Sequence, residues 1–174
     1  MKRLLCCTLA AAMLLFANGC SGGGTTNSDL SQKLDTEEAI VNYITDRIPD
    51  GCINIMADVD KPIIVLITNE KASVTIKASS DFCIPTLADE FIPIVKEALE
   101  ENDTALGKIS FSYYRTNASG IVKGSMVDWT TSDGEKGTFS HEEDGVLKTN
   151  YTVADLHEYY KDFDELVEKL RSGE

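Results

Sequence analysis

IIVLITNEKASVTIKA, residues 63–78, reads as a strand, a turn and a second strand. Ile63, Ile64, Val65, Leu66 and Ile67 form an uninterrupted apolar run, which suits a strand well inside a sheet. Asn69-Glu70-Lys71 breaks the run with residues that favour a turn. Val74, Ile76 and Ala78 then alternate with polar neighbours, the two-residue period of a strand with one buried face. Upstream, Ile53, Ile55, Ala57 and Val59 alternate in the same way. Residues 53–78 are therefore expected to form a three-stranded antiparallel meander.

Helices flank this block. Asp35 or Thr36 caps the first, with Glu38 placed for a capping box; Ile40, Tyr43 and Ile44 follow at helical spacing until Pro49-Asp50-Gly51. Pro85 and Thr86 open the second, whose apolar stripe is Leu87, Phe91, Val95, Ala98 and Leu99. Pro93 within it is expected to kink or restart the helix. A second strand block comes next: Ile109, Phe111 and Tyr113 alternate, residues 117–120 turn, and 121–130 return past Gly124, a bulge candidate. Asp133-Gly134 and Asp144-Gly145 flank two shorter strands, and Thr152 caps a last helix carrying Leu156, Tyr159, Tyr160, Phe163, Leu166, Val167 and Leu170 on one face. The predicted order is α-βββ-α-ββββ-α. Strand runs without βαβ alternation indicate an α+β class with antiparallel sheet pairing, in one domain spanning residues 35–174.

The N-terminus has a different character. Lys2 and Arg3 precede an apolar run over residues 4–16, the layout of a secretory signal peptide. As a helix that run spans roughly 20 Å, short of the ~30 Å hydrocarbon core. It ends at Ala17-Asn18-Gly19-Cys20, which resembles the lipobox of bacterial lipoproteins; Ala17 and Asn18 stand where that family usually has Leu and then Ala or Ser. The resemblance implies removal of residues 1–19 and a diacylglycerol thioether on Cys20, holding the protein outside the cytoplasm on a bacterial membrane. Two acyl chains, at ~0.8 kcal/mol per buried methylene, anchor firmly. Residues 20–34 are rich in Gly, Ser, Thr and Asn and read as a flexible tether with a root-mean-square reach of roughly 20 Å.

Loss of the leader removes two basic residues and leaves 14 Lys and Arg against 29 Asp and Glu, a net charge of −15. Such a surface repels nucleic acid and anionic lipid headgroups, and favours cationic proteins or peptides among possible partners. Cys52 and Cys83 remain in the mature domain. Outside the cytoplasm they either close a loop of about 32 residues, with ~3.5 kcal/mol of chain-entropy stabilisation, or stay as separate buried thiols.

Residues with catalytic spacing are missing from the sequence. His141 and His157 are the two histidines, too few for most zinc sites and triads. His157 is expected on a solvated helix face with Lys161, Asp164 and Glu168. His141 sits in a turn, and no nucleophile is signalled near it. No P-loop, G-x-S-x-G or G-x-G-x-x-G occurs, so neither a cofactor nor a catalytic residue is assigned. The acidic turns 133–135 and 142–145 would approach one another if their strands pair. Their spacing is not that of an EF-hand, and they are read as solvated turns, with no metal site assigned. Trp129 shares the parity of Ile121 and Val127 and is expected in the core. A bulge at Gly124 that reversed this parity would expose it beside Tyr114 as a stacking platform for a sugar or peptide. The expected function is a membrane-tethered, non-catalytic binding module for a protein, peptide or envelope polymer. The alternatives are an envelope glycan- or peptide-processing enzyme working through Asp and Glu, and an inhibitor or chaperone-like partner of an exported protein.

Overall fold

The turn at Asn69 and Glu70 sets how the sheet begins. Both residues adopt positive φ, 50° and 61°, the geometry whose twist matches a two-residue hairpin. They join β1 (Ile63–Thr68) to β2 (Lys71–Lys77) as an antiparallel pair, Val65 opposite Val74. The structure is a computed structural model that describes residues 27–56, 60–116 and 122–174. The described chain is a single α+β domain whose six strands lie in the order β1-β2-β3-β4-β5-β6. The remaining strands are β3 (Ala105–Thr116), β4 (Val122–Thr131), β5 (Gly137–His141) and β6 (Val146–Tyr151).

The expected strand at residues 53–59 does not form over its described part. Gly51 takes φ 87°, and amides of Cys52, Asn54 and Met56 each donate to the carbonyl three residues back. In these tight turns Cys52, Ile55 and Met56 are buried while Ile53 points out. Ala57 and Val59 of the expected strand lie outside the described residues. Among the described residues two strands, not three, precede the helix α2 (Ile84–Glu101), and that helix is a crossover: β3 returns parallel to β2, with Val74 beside Ile109. A helix of that length carries the chain back to the end of the sheet where β2 began, which a parallel neighbour requires. The other pairs are antiparallel.

The apolar run of β1 proves to be an edge strand rather than a central one. Ile63 and Val65 face the core, while Leu66 is 58% exposed. Its apolar character follows from its cover: α1 (Asn27–Thr45) packs on β1, and the Glu37 carboxylate accepts the outward Ile67 amide at 2.6 Å. The helix begins eight residues before the expected cap at Asp35, so residues 27–34, read above as the end of the tether, are helical.

Along β2 to β5 the residues facing the helices are Val74, Ile76, Ile109, Phe111, Val127, Trp129 and Phe139, all buried. They form one core with Ile40 and Ile44 of α1, Leu87, Phe91 and Val95 of α2, and Leu156 of α3 (Val153–Tyr160). Helix α2 runs through Pro93. The opposite sheet face is polar; Ser110 and Thr130 share a hydrogen bond across it at 3.0 Å. Thr152 caps α3 as expected, its side chain taking the Asp155 amide while the Asp155 carboxylate takes the Thr152 amide. The single last helix does not hold. A 3₁₀ turn at Lys161–Phe163 separates α3 from α4 (Asp164–Ser172). The tighter turn shifts the helical phase, which leaves Phe163, Leu166 and Leu170 partly exposed while Val167 is buried.

The β4–β5 turn is closed by Asp133. Its Oδ1 accepts the amides of Glu135 at 2.8 Å and Lys136 at 3.0 Å, and lies 2.9 Å from Thr131 Oγ1. These hydrogen bonds hold the carboxyl at about 2, below its ordinary 3.8. A lowered folded-state value means that the contribution is complete above about pH 4 and disappears as pH falls through about 2. Asp133→Asn is therefore expected to flatten the loss of stability across that window in acid titration of unfolding. Slopes parallel to the parent would exclude this role.

Candidate functional site

The end of β5 and the start of α3 carry the polar and aromatic residues that form a cleft. His141 closes β5 with its ring on the core side, 7% exposed. The following turn, Glu142-Glu143-Asp144-Gly145, folds back so that the Asp144 amide donates to His141 Nδ1 at 3.2 Å. The other ring nitrogen, Nε2, faces Asp81 Oδ2 at 3.6 Å. Asp144 Oδ2 lies 3.3 Å from Nδ1 and accepts the Tyr159 hydroxyl at 2.8 Å. Two carboxylates thus bracket one imidazole, one from the 3₁₀ turn after β2 and one from the β5–β6 turn.

Aromatic rings form the other wall. Tyr159 meets Tyr160 edge to face at 4.8 Å, and Phe139 edge to face at 5.0 Å. Phe163 stacks on Phe82 at 5.4 Å. The 3₁₀ turn that interrupts the last helix is what presents Phe163 beside Tyr160 at 6.4 Å. From β3, Tyr113 and the exposed Arg115 complete a cleft of about 310 Å³. Arg115 is held by a hydrogen bond to Tyr113 and by the Glu143 charge.

Tyr160 is the unusual member. The residue is 3% exposed, and among the described residues its hydroxyl has no hydrogen-bond partner. A buried unsatisfied hydroxyl costs about 1–3 kcal/mol. Burial pushes this phenol well above its ordinary value, and the nearby Asp81 charge adds to the shift. The hydroxyl therefore stays protonated and keeps its lone pairs. Tyr159 rises to about 12, by burial first and then by its bond to Asp144.

The structure separates the residues that the sequence offered as a stacking platform. Trp129 is fully buried and pairs across strands with Phe111, while Tyr114 pairs with Met126 on the opposite sheet face. The β3–β4 register does shift, between Tyr114 and Thr116, but toward the turn and beyond Trp129, so its parity stands. The two acidic turns also stay apart, since one precedes β5 and the other follows it. Among the described residues no three His, Cys, Asp or Glu side chains gather as a metal site. Cys52 and Cys83 are free, buried thiols; burial raises both, Cys83 to about 11. His157 lies on the surface as expected, its side chain 39% exposed, and there bonds Asp89 of α2 at 2.7 Å, while Arg171 of α4 reaches Glu90 at 3.1 Å. These contacts tie the C-terminal helices to α2. Asp128, whose carboxyl is raised by burial and opposed by a Ser112 hydrogen bond, lies on the open sheet face away from His141. Cys20 lies outside the described residues.

The cleft was missed in the sequence because its residues come from four separated segments. The local signals are the His141-x-x-Asp144 turn and the Tyr159-Tyr160-x-x-Phe163 run. Both are also ordinary features of a turn and of an apolar helix face. No family model matches the chain, and no curated protein or solved structure matches it.

Proposed function

We propose that the protein is an extracytoplasmic lipoprotein, held to a bacterial membrane through Cys20. In this reading the folded domain is a non-catalytic binding module whose ligand sits in the His141 cleft. The observation that carries the reading is the cleft itself, where His141, Asp81, Asp144 and the rings of Tyr159 and Phe163 converge from separate segments. Catalysis by carboxylates is less well supported. Asp81 and Asp144 flank an imidazole rather than an open gap, and the raised Asp128 carboxyl is on the other sheet face. Among the described residues no helix is long and apolar enough to cross a membrane.

Metabolic labelling with a fatty acid, in a bacterium expressing the parent chain or Cys20→Ala, tests the anchor. The parent is expected in the membrane fraction with label, and the variant without label. A released, unlabelled parent chain beginning near residue 20 would overturn the tether.

A further inference from the structure

The last helix carries an apolar stripe on its outer side. Phe163, Leu166 and Leu170 stand three and four residues apart at 42%, 45% and 37% exposure, while Val167 faces the core. Ile53, also exposed, belongs to the turn that Asn54 ties to the end of α4 through the Arg171 carbonyl at 3.2 Å. The charges beside the stripe are divided along the helix. Asp162, Glu165 and Lys169 each precede a stripe residue by one position and are all exposed, the acids toward the start and the lysine toward the end. Arg171, the other cation of α4, is engaged within the domain by Glu90 and Glu168. Glu165 and Lys169 form no ion pair among the described residues.

We propose that this stripe is the contact between two copies of the chain, whose α4 helices pack antiparallel about a two-fold axis at Leu166. Such an isologous contact requires a surface that complements itself. Antiparallel packing about Leu166 sets Phe163 of one copy against Leu170 of the other. It also places Lys169 of each copy beside Asp162 and Glu165 of the other, and flanking charges of this kind fix partner and orientation. Parallel packing would set lysine on lysine and acid on acid. A uniformly basic partner helix would meet Lys169, and a uniformly acidic one Asp162 and Glu165. The stripe is short, well below the ~800 Å² per partner of a standard interface, so the dimer is populated only at high local concentration. The net charge of −13 opposes approach at long range; salt near 0.15 M screens that repulsion beyond about 8 Å and leaves the direct contact in place.

Cysteine cross-linking in cells expressing the full chain is the test. The two-fold axis brings residue 166 against itself, so Leu166→Cys treated with copper phenanthroline is expected to give a disulfide-linked dimer. Glu135→Cys, exposed in the β4–β5 turn, should stay at the background set by the parent chain's own cysteines. Lys169→Glu and Glu165→Lys, each added to Leu166→Cys, should each lower the cross-linked fraction several-fold. Coexpressing these two charge variants with different tags should restore it in the mixed dimer, because each then meets opposite charge across the contact. The restored species must contain both tags, which a change within one helix cannot produce. The proposal falls if Leu166→Cys cross-links no more than Glu135→Cys, if the mixed pair gains nothing over either variant alone, or if Leu166→Cys couples to a different protein instead of itself.

Discussion

Trp129→Ala is expected to destabilise the domain by about 3–5 kcal/mol, the range for removing a large buried ring from a close-packed core. The site explains why the upper end applies. The indole is fully buried, packs at 6.0 Å on Phe111, and its Nε1–H donates to the Tyr151 carbonyl at 3.0 Å. It therefore reaches from β4 across β5 to β6, and alanine removes both the filling of the core and a tie between non-adjacent strands. Trp129→Phe should cost less, because it keeps most of the volume and loses the hydrogen bond. Equilibrium unfolding in urea measures both. A loss below about 1 kcal/mol for Trp129→Ala, the size of an ordinary substitution, would exclude this role for the indole.

The second large effect is expected at Gly137, where the indole passes. A Cβ there would overlap the Thr130 carbonyl oxygen and sit 2.8 Å from Trp129 Nε1. The oxygen belongs to a paired strand and cannot move aside without breaking β4–β5 pairing. Gly137→Ala should therefore cost at least about 2 kcal/mol, near the upper part of the range for overpacked sites. The double variant Gly137→Ala with Trp129→Phe should recover part of the loss, because the clash with Nε1 disappears while the clash with Thr130 remains. Additive costs would show that the ring and the glycine do not share one constraint.

How far the sequence was legible depends on the kind of signal each segment carries. The β4–β6 meander could be read because Val127, Trp129 and Phe139 alternate in step and Asp-Gly pairs mark both turns. Thr152 was legible as a cap because its chemistry is local. Residues 53–56 were not, since Ile53 and Ile55 satisfy an alternating pattern while the fold buries Cys52, Ile55 and Met56 on successive tight turns. The parallel pairing of β2 with β3 was hidden for a separate reason: a single strand–helix–strand unit stands among hairpins. The edge position of β1 was hidden by its own apolarity, which α1 accounts for. The cleft was the least legible feature: His141, Asp81 and Tyr160 acquire their relation only when β5, the turn after β2 and α3 are brought together.

The Glu37 contact on β1 has a consequence for the protein's life before and after folding. IIVLIT is a six-residue segment without charge, proline or glycine, the composition of a cross-β spine. At a sheet edge, such a segment invites addition of another chain through its outward amides. Glu37 occupies one of those amides with a negative charge, and the helix that supplies it lies over the strand. The N-terminal helix is thus a built-in guard against fibril formation.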